Sequence, residues 1–420
     1  MSSETSTRPA SPAAGGAPAP AERGLRLPAW LDTPLTSYYL VLGSSVVLIG
    51  LGLVMVLSSS SVDSLADGQS AFTVFWRQAV FALIGVPLMV LAARMPPKSW
   101  AALGWPLLVG AMVMQLLVFT SFGVGVNGNR NWVSLGGFQL QPSEIGKLAL
   151  CVWVAAVLAR KRPLLGEPVH AMVPVVPGAL LFLALVLYGA DLGTALIVMA
   201  IMVGTMFVAG CPKRIFVFGG GALALLTLVM VMTSSNRLGR IASWRSDCTG
   251  DAALGACFQS LHGKYALATG GWWGVGLGAS REKWGLLPEA HNDFIFAIIG
   301  EELGLVGTLA VVGLFAACAV GMFRIVLRHT DPFVKIATAG VLAWVIGQAV
   351  VNIGVVIGLL PVIGLPLPLV SSGGSALVMT MAALGMVIGF ARHEPGAQQA
   401  LAARAGLVRR SLAVVGRGRR

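Results

Sequence analysis

Asp293, Glu301 and Glu302 are three acids in the wrong company. They fall in "LPEAHNDFIFAIIGEELGLVGTLAVVGLF", residues 287–315, at the start of a long apolar run. A carboxylate placed in hydrocarbon costs about 2.5–3.5 kcal/mol on insertion scales, so an acid there ordinarily faces a cavity or a partner. At the edge of the run the cost is smaller, and Asp293 has two readings. It is either a helix N-cap accepting backbone N–H bonds, or an acid facing a polar pocket at the outer mouth, kept anionic by the positive end of the helix dipole. On one continuous helix Glu301 would stand about 80° round from Asp293 and about 12 Å deeper, with Glu302 pointing roughly opposite. Acids on two faces imply a span surrounded by protein. Glu301 is expected to support the cavity or a cation, and Glu302 to make a structural contact with a neighbouring helix.

Other residues could complete such a site. In "QPSEIGKLAL", Gln141, Pro142 and Ser143 begin a helix, with Ser143 as its expected cap. Glu144 and Lys147 are three apart and share a helix face. They form either an ion pair that lets the lysine stay in the membrane or a cationic face toward an anionic ligand. Arg130, in "NGNRNW", lies shortly before them. Asp191, in "YGADLGTAL", opens another apolar run and repeats the Asp293 pattern. In "LPLPLVSSGGS", Pro366 and Pro368 enforce extended backbone, and Gly373 and Gly374 after Ser371 and Ser372 allow close approach of a helix or a ligand.

The elements that must carry these residues follow from composition. Of 420 residues, 56% are hydrophobic and 11% charged, with 53 glycines, which excludes an ordinary soluble enzyme. The expected fold class is an all-α polytopic membrane protein of ten transmembrane helices, near residues 38–57, 75–93, 101–121, 144–160, 171–188, 191–210, 214–233, 292–323, 334–359 and 373–391. Residues 1–36 read as a disordered tail, 37–393 as the membrane domain, and 394–420 as a basic tail. With the N-terminus in the cytoplasm, the tails hold ten Lys and Arg and the inner loops ten more, against one in the shorter outer loops and six in the long outer loop, 234–291. That is the positive-inside pattern, and it places both termini in the cytoplasm. It also accounts for the net charge of +12 without nucleic acid as a partner. Trp244, Trp272, Trp273 and Trp284 suggest that parts of the long loop lie on the membrane interface. In the same loop Cys248 and Cys257, with eight residues between them, form a disulfide or stay as two thiols.

Four segments taken in order resemble the SEDS family of shape, elongation, division and sporulation proteins. They are "NGNRNWVSLGGFQLQPSEIGKLAL", "DLGTAL", "GVGLGASREKWGLLPEAHNDFIFAIIGEELG" and "QAVVNIGVVIGLLPVIGLPLPLVSSGGSAL", within a match over residues 38–391. The first span and "FWRQAVFALIG" are more similar to the division member than to the elongation member. The resemblance implies a peptidoglycan glycosyltransferase of the cytoplasmic membrane, at the division septum, that polymerises lipid II on its outer face. Asp293 matches the family's essential aspartate and is the implied base. Arg130 and Lys147, or a divalent cation (Mg or Mn), would help the pyrophosphate leave. Gln141, Ser143, Glu144, Asp191, Ser372 and Gly373 match motif positions implied to line the cavity, with His291 and Glu301 in support. The implied partners are lipid II, a class B penicillin-binding protein (the FtsI-like transpeptidase) and other division-complex membrane proteins. Three features depart from the family: Gly189 and Ala190 stand where Gln-Pro is usual, Asn292 where Thr is common, and "CTGDAALGAC" is no family feature.

Two other classes compete. A lipid II flippase or other transporter would need polar groups through the whole thickness, and Arg77, Glu301 and Glu302 keep that reading open. A scaffold that only recruits a transpeptidase predicts that Asp293 is dispensable.

Overall fold

A backbone in hydrocarbon must satisfy its own N–H and C=O groups, and each apolar run does so as helix. The computed structural model describes residues 33–400 except 127–128, 137, 233–234, 246–247, 249–252, 254 and 256. Most of both expected tails therefore lies outside the described residues. In chain order the helices are α1 (Thr36–Ala66), α2 (Thr73–Arg94), α3 (Pro97–Ala102), α4 (Gly104–Leu117), α5 (Pro142–Arg160), α6 (Pro168–Met172) and α7 (Val175–Tyr188). There follow α8 (Leu192–Ala209), α9 (Lys213–Met232), α10 (Ser235–Arg245), α11 (Phe258–Gly270), α12 (Ile295–Arg328), α13 (Pro332–Val356) and α14 (Gly374–Ala391). Among the described residues, eight helical segments are long and apolar enough to cross a membrane. This is a multi-pass, almost wholly helical membrane protein.

Local chemistry sets the helix ends. Pro142 and Pro332 occupy first-turn positions whose N–H would have no partner, and Asp331 caps α13 by accepting from Phe333 N at 2.9 Å. Gly210 ends α8 at φ +83°, a left-handed conformation that glycine adopts without steric cost. The helix expected at 101–121 is in two pieces, α3 and α4, joined through Leu103.

Helix α5 is the centre of the bundle. It packs against α4, α7, α8 and α13, and its residues are buried almost without exception from Ser143 to Leu158. Around it α14 lies on α2, α12 on α1, and α13 on α8 and α12. Burial in protein rather than lipid is what lets α5 carry Glu144 and Lys147.

Two findings depart from the sequence reading. Residues 123–140 are not all loop. They form an antiparallel sheet of β1 (Gly123–Val126), β2 (Asn129–Leu135) and β3 (Phe138–Leu140), with Gly123 opposite Val133 and Val133 opposite Leu140. Val133 is fully buried and anchors it. The second finding concerns the acidic helix. It starts at Ile295, not 292, and breaks at Gly304, whose φ of +67° is non-helical. Glu301 and Glu302 therefore sit beside a break and not inside a continuous span. The glycine-rich stretch 271–276 enters the gap. Val275 and Gly276 donate to the carbonyls of Glu301 and Glu302 at 2.9 and 3.1 Å, and Leu305 and Val306 donate to those of Gly271 and Trp272 at 2.9 and 3.3 Å. The freed backbone groups are thus paired again. Gly304 has to be glycine, because a β-carbon there would strike the backbone of Trp272 and Gly274.

Candidate active site

Asp293 stands in the turn ahead of α12, and the turn is held through its backbone. The carbonyl of His291 accepts from Ser372 N at 3.0 Å, that of Asn292 from Ser371 Oγ at 2.7 Å, and that of Asp293 from Asn352 Nδ2 at 2.8 Å. Three successive carbonyls are each tied to another part of the molecule. The ties are themselves braced. Asn352 Nδ2 also donates to Leu365 O at 2.7 Å, and Gln348, one turn earlier on α13, donates to Pro366 O at 2.8 Å. Gln78 of α2 bridges Ser371 O and Gly373 N at 3.1 and 3.2 Å.

The side chain is treated differently. The α12 cap position is Phe294, without a side-chain cap, and the Asp293 carboxylate accepts no hydrogen bond from the described residues. This overturns the N-cap reading. Asp191 provides the contrast: it caps α8 by accepting from Thr194 N at 2.8 Å and takes a second bond from Gln141 Nε2 at 3.0 Å. Burial works against the expected anionic hold by the helix dipole. Burial first, then the neighbouring Glu289 carboxylate, pushes Asp293 up to about 7; Arg240 opposes the rise and Asp191 adds to it. A carboxylate at that level both accepts and releases a proton near neutral pH.

The other expected residues separate into groups. Gln141 and Asp191 are joined near Asp293, and Gln141 N also donates to Ser375 Oγ at 3.2 Å. Ser372 and Gly373 belong to the clamp. Ser143 is the second residue of α5, not its cap, and its buried hydroxyl has no partner. Arg130 is exposed on β2; its guanidinium donates to Thr120 O at 2.7 Å and its N–H to Gly189 O at 3.1 Å. Beside it Asn131, in its satisfied orientation, donates to Gly189 O at 2.7 Å. Lys147 is enclosed: its ammonium meets Glu144 Oε1 at 2.8 Å, Gln348 Oε1 at 3.0 Å and the Trp344 ring at 4.9 Å from the centroid. Of the two readings for that lysine, the ion pair is what the structure draws. His291 Nδ1 lies 3.8 Å from Asp63 Oδ2.

Glu301 and Glu302 are not brought to Asp293. Glu301, fully buried, accepts from Ser280 Oγ at 2.5 Å and Arg281 N at 2.8 Å. Glu302 accepts from Ser58 Oγ of α1 at 2.7 Å and pairs with Lys283 Nζ at 3.1 Å. Cys248 and Cys257 are joined in a disulfide, Cα–Cα 5.7 Å.

Asn352, Ser371, Gln348 and Arg240 are the residues that sequence reasoning missed. Two amides four apart on one helix, Gln348 and Asn352, were the available signal, since they share a face. Nothing in the sequence pointed to Arg240, whose Nη1 donates to Val362 O at 3.3 Å across the fold.

Comparison with known proteins fits this geometry. Residues 39–395 match the family model described as cell cycle protein, that of FtsW, RodA and SpoVE. A probable peptidoglycan glycosyltransferase FtsW of Mycobacterium tuberculosis is 39% identical over 387 residues, 92% of this chain and 74% of that protein. Its counterpart from Halorhodospira halophila is 39% identical over 382 residues, 88% of this chain and 93% of that one. Among solved structures, a chain from work on the structural coordination of polymerization and crosslinking by a peptidoglycan synthase complex superposes with a TM-score of 0.67. It is 28% identical and covers 84% of this chain and 96% of its own. The rod shape determining protein RodA of Thermus thermophilus gives a TM-score of 0.62 at 28% identity, covering 87% and 99%.

Proposed function

We infer the activity from one premise: the chain belongs to the cell cycle protein family of FtsW, RodA and SpoVE. It is a peptidoglycan glycosyltransferase of the SEDS type. The finer reading is that it polymerises lipid II at the outer face of the cytoplasmic membrane during septal wall synthesis.

One observation carries the mechanism: Asp293 has its backbone fixed and its carboxylate left open. Asp293 takes the proton from the 4-hydroxyl of the acceptor GlcNAc. The resulting oxygen attacks C1 of the donor MurNAc and forms the new glycosidic bond with inversion. The C1–oxygen bond to undecaprenyl pyrophosphate breaks, and the pyrophosphate leaves with its electrons. Arg130, exposed on β2, is the cation proposed to face that leaving group. Among the described residues no three His, Cys, Asp or Glu side chains gather as a metal site. The expected divalent cation, Mg or Mn, would supply charge neutralisation to the leaving pyrophosphate. The partner is a class B penicillin-binding protein, supported by the likeness to a chain of a peptidoglycan synthase complex. The transport reading loses support because its deepest acids, Glu301 and Glu302, are taken up by Ser280, Arg281, Ser58 and Lys283.

The test is glycan-strand formation from purified lipid II by the full chain with its transpeptidase and divalent cation. Wild type is expected to make polymer and a folded Asp293→Asn variant none. Equal product from both would remove Asp293 as the base. No product from wild type would return the flippase and scaffold readings.

A further inference from the structure

Helix α10 lies in the long loop, and two of its residues dock on the turn that follows α13. Trp244 Nε1 donates to Gly358 O at 3.0 Å, and Arg240 Nη1 to Val362 O at 3.3 Å. Arg240 and Trp244 are four apart and share one helix face. The same turn continues to Gly364, where a β-carbon would stand 3.5 Å from Asp293 Oδ2. The 362–364 strip thus has the guanidinium of Arg240 at one end and the carboxylate of Asp293 at the other. Behind α10 the chain reaches Cys248, three residues past Arg245, and the disulfide returns it to Cys257, the residue before α11. Helix α11 packs on α12 and α13, so the disulfide shortens the link by which the end of α10 reaches the bundle.

We propose that the Cys248–Cys257 disulfide and Arg240 act as one positioning unit, in which the bond seats α10 on the 358–362 turn and Arg240 so seated favours the charged, proton-accepting form of Asp293. The unit rests on Asp293 being the base. Arg240 acts through Asp293 and is a positioning residue for it. Among the described residues, the groups facing Asp293 are Glu289 on its own turn, Asp191 at the start of α8 and Arg240 on α10; of these Arg240 is the cation, and the two acids press the other way. Without the bond, the link from α10 to α11 lengthens to the full 12-residue stretch 246–257, and α10 is held less closely to its seat. The rise in chain freedom is the expected consequence of opening such a link.

The experiment is a double-mutant cycle on lipid II polymerisation, measured from pH 5.5 to about 9 to cover the raised Asp293. Its four forms are wild type, Arg240→Gln, Cys248→Ser with Cys257→Ser, and all three changes together. Arg240→Gln is expected to move the acid limb of the rate profile to higher pH, and the serine pair to move it in the same direction. Adding the serine pair to Arg240→Gln should change little more, because the bond acts through Arg240. Arg240→Lys should restore the limb part of the way, as charge returns without the fork geometry. Thermal unfolding of each form separates folding loss from the shift. A serine pair that leaves the acid limb in place, or shifts that add in full, would overturn the unit. Inactive wild type, or an active Asp293→Asn control, would instead remove the base assignment beneath it.

Discussion

Asp293 lies in the turn ahead of α12 and Glu301 and Glu302 within its first nine residues, and the protein treats the two ends oppositely. At Glu301 and Glu302 every buried oxygen is matched: Ser280 and Arg281 serve one carboxylate, Ser58 and Lys283 the other. At Asp293 the carbonyls are matched and the carboxylate is not. The saturated pair holds a helix break together, and the unsaturated acid is the one proposed to take the substrate proton. Depth in the sequence did not separate them; hydrogen-bond satisfaction does.

The widest expected gap between the two ends is in rate. Asp293→Asn should lower polymerisation by about 10²–10⁴-fold with little change in thermal unfolding, whereas Glu301→Gln should lower stability and leave the rate per folded molecule within several-fold. Comparable rate loss in both would erase the distinction.

Next comes stability at the break. Glu302→Ala strands Lys283 in a buried site and should cost about 3–5 kcal/mol, read as a lower unfolding temperature in detergent. Replacing both by apolar residues, Glu302→Leu with Lys283→Met, should recover most of it. If the double variant is no better than the single, the pair does more than satisfy charge.

A smaller effect is expected from the clamp. Ser371→Ala removes the donor to Asn292 O, costing about 1 kcal/mol in stability. Its rate should fall more than that figure suggests, by about tenfold or more, because catalysis depends on where Asp293 is held. A rate change no larger than the stability change would reduce Ser371 to packing.

The smallest effect is a shift in pH dependence. Asp293 accepts a proton only when ionised, so the rate should rise with pH through about 7. Glu289→Gln removes a negative neighbour, favours the ionised form and should move that acid limb to lower pH, measured on lipid II polymerisation. An unmoved limb would mean that Glu289 does not bear on the base.

Much of the architecture was legible because hydrophobic length is a one-dimensional property. All ten apolar runs are helical, Pro142 and Pro332 start their helices, and Asp191 marks the start of α8. The sheet at 123–140 was missed because its strands are three to seven residues long, too short for alternation to stand out. The break at Gly304 was missed for a different reason. A lone glycine in an apolar run usually continues the helix, and here residues 271–276, distant in the chain, supply the bonds that make breaking it tolerable.

The sequence by itself therefore determined the membrane class and the helices, since these follow from apolar length in order along the chain. The tertiary structure alone decided which acids are satisfied. It enclosed Lys147 between Glu144, Gln348 and Trp344, set Arg240 on the strip that Asp293 faces, and held three carbonyls so that one carboxylate could stay open. A hydrogen bond is made between groups close in space, and residues 59 and 79 apart in the chain meet at this turn.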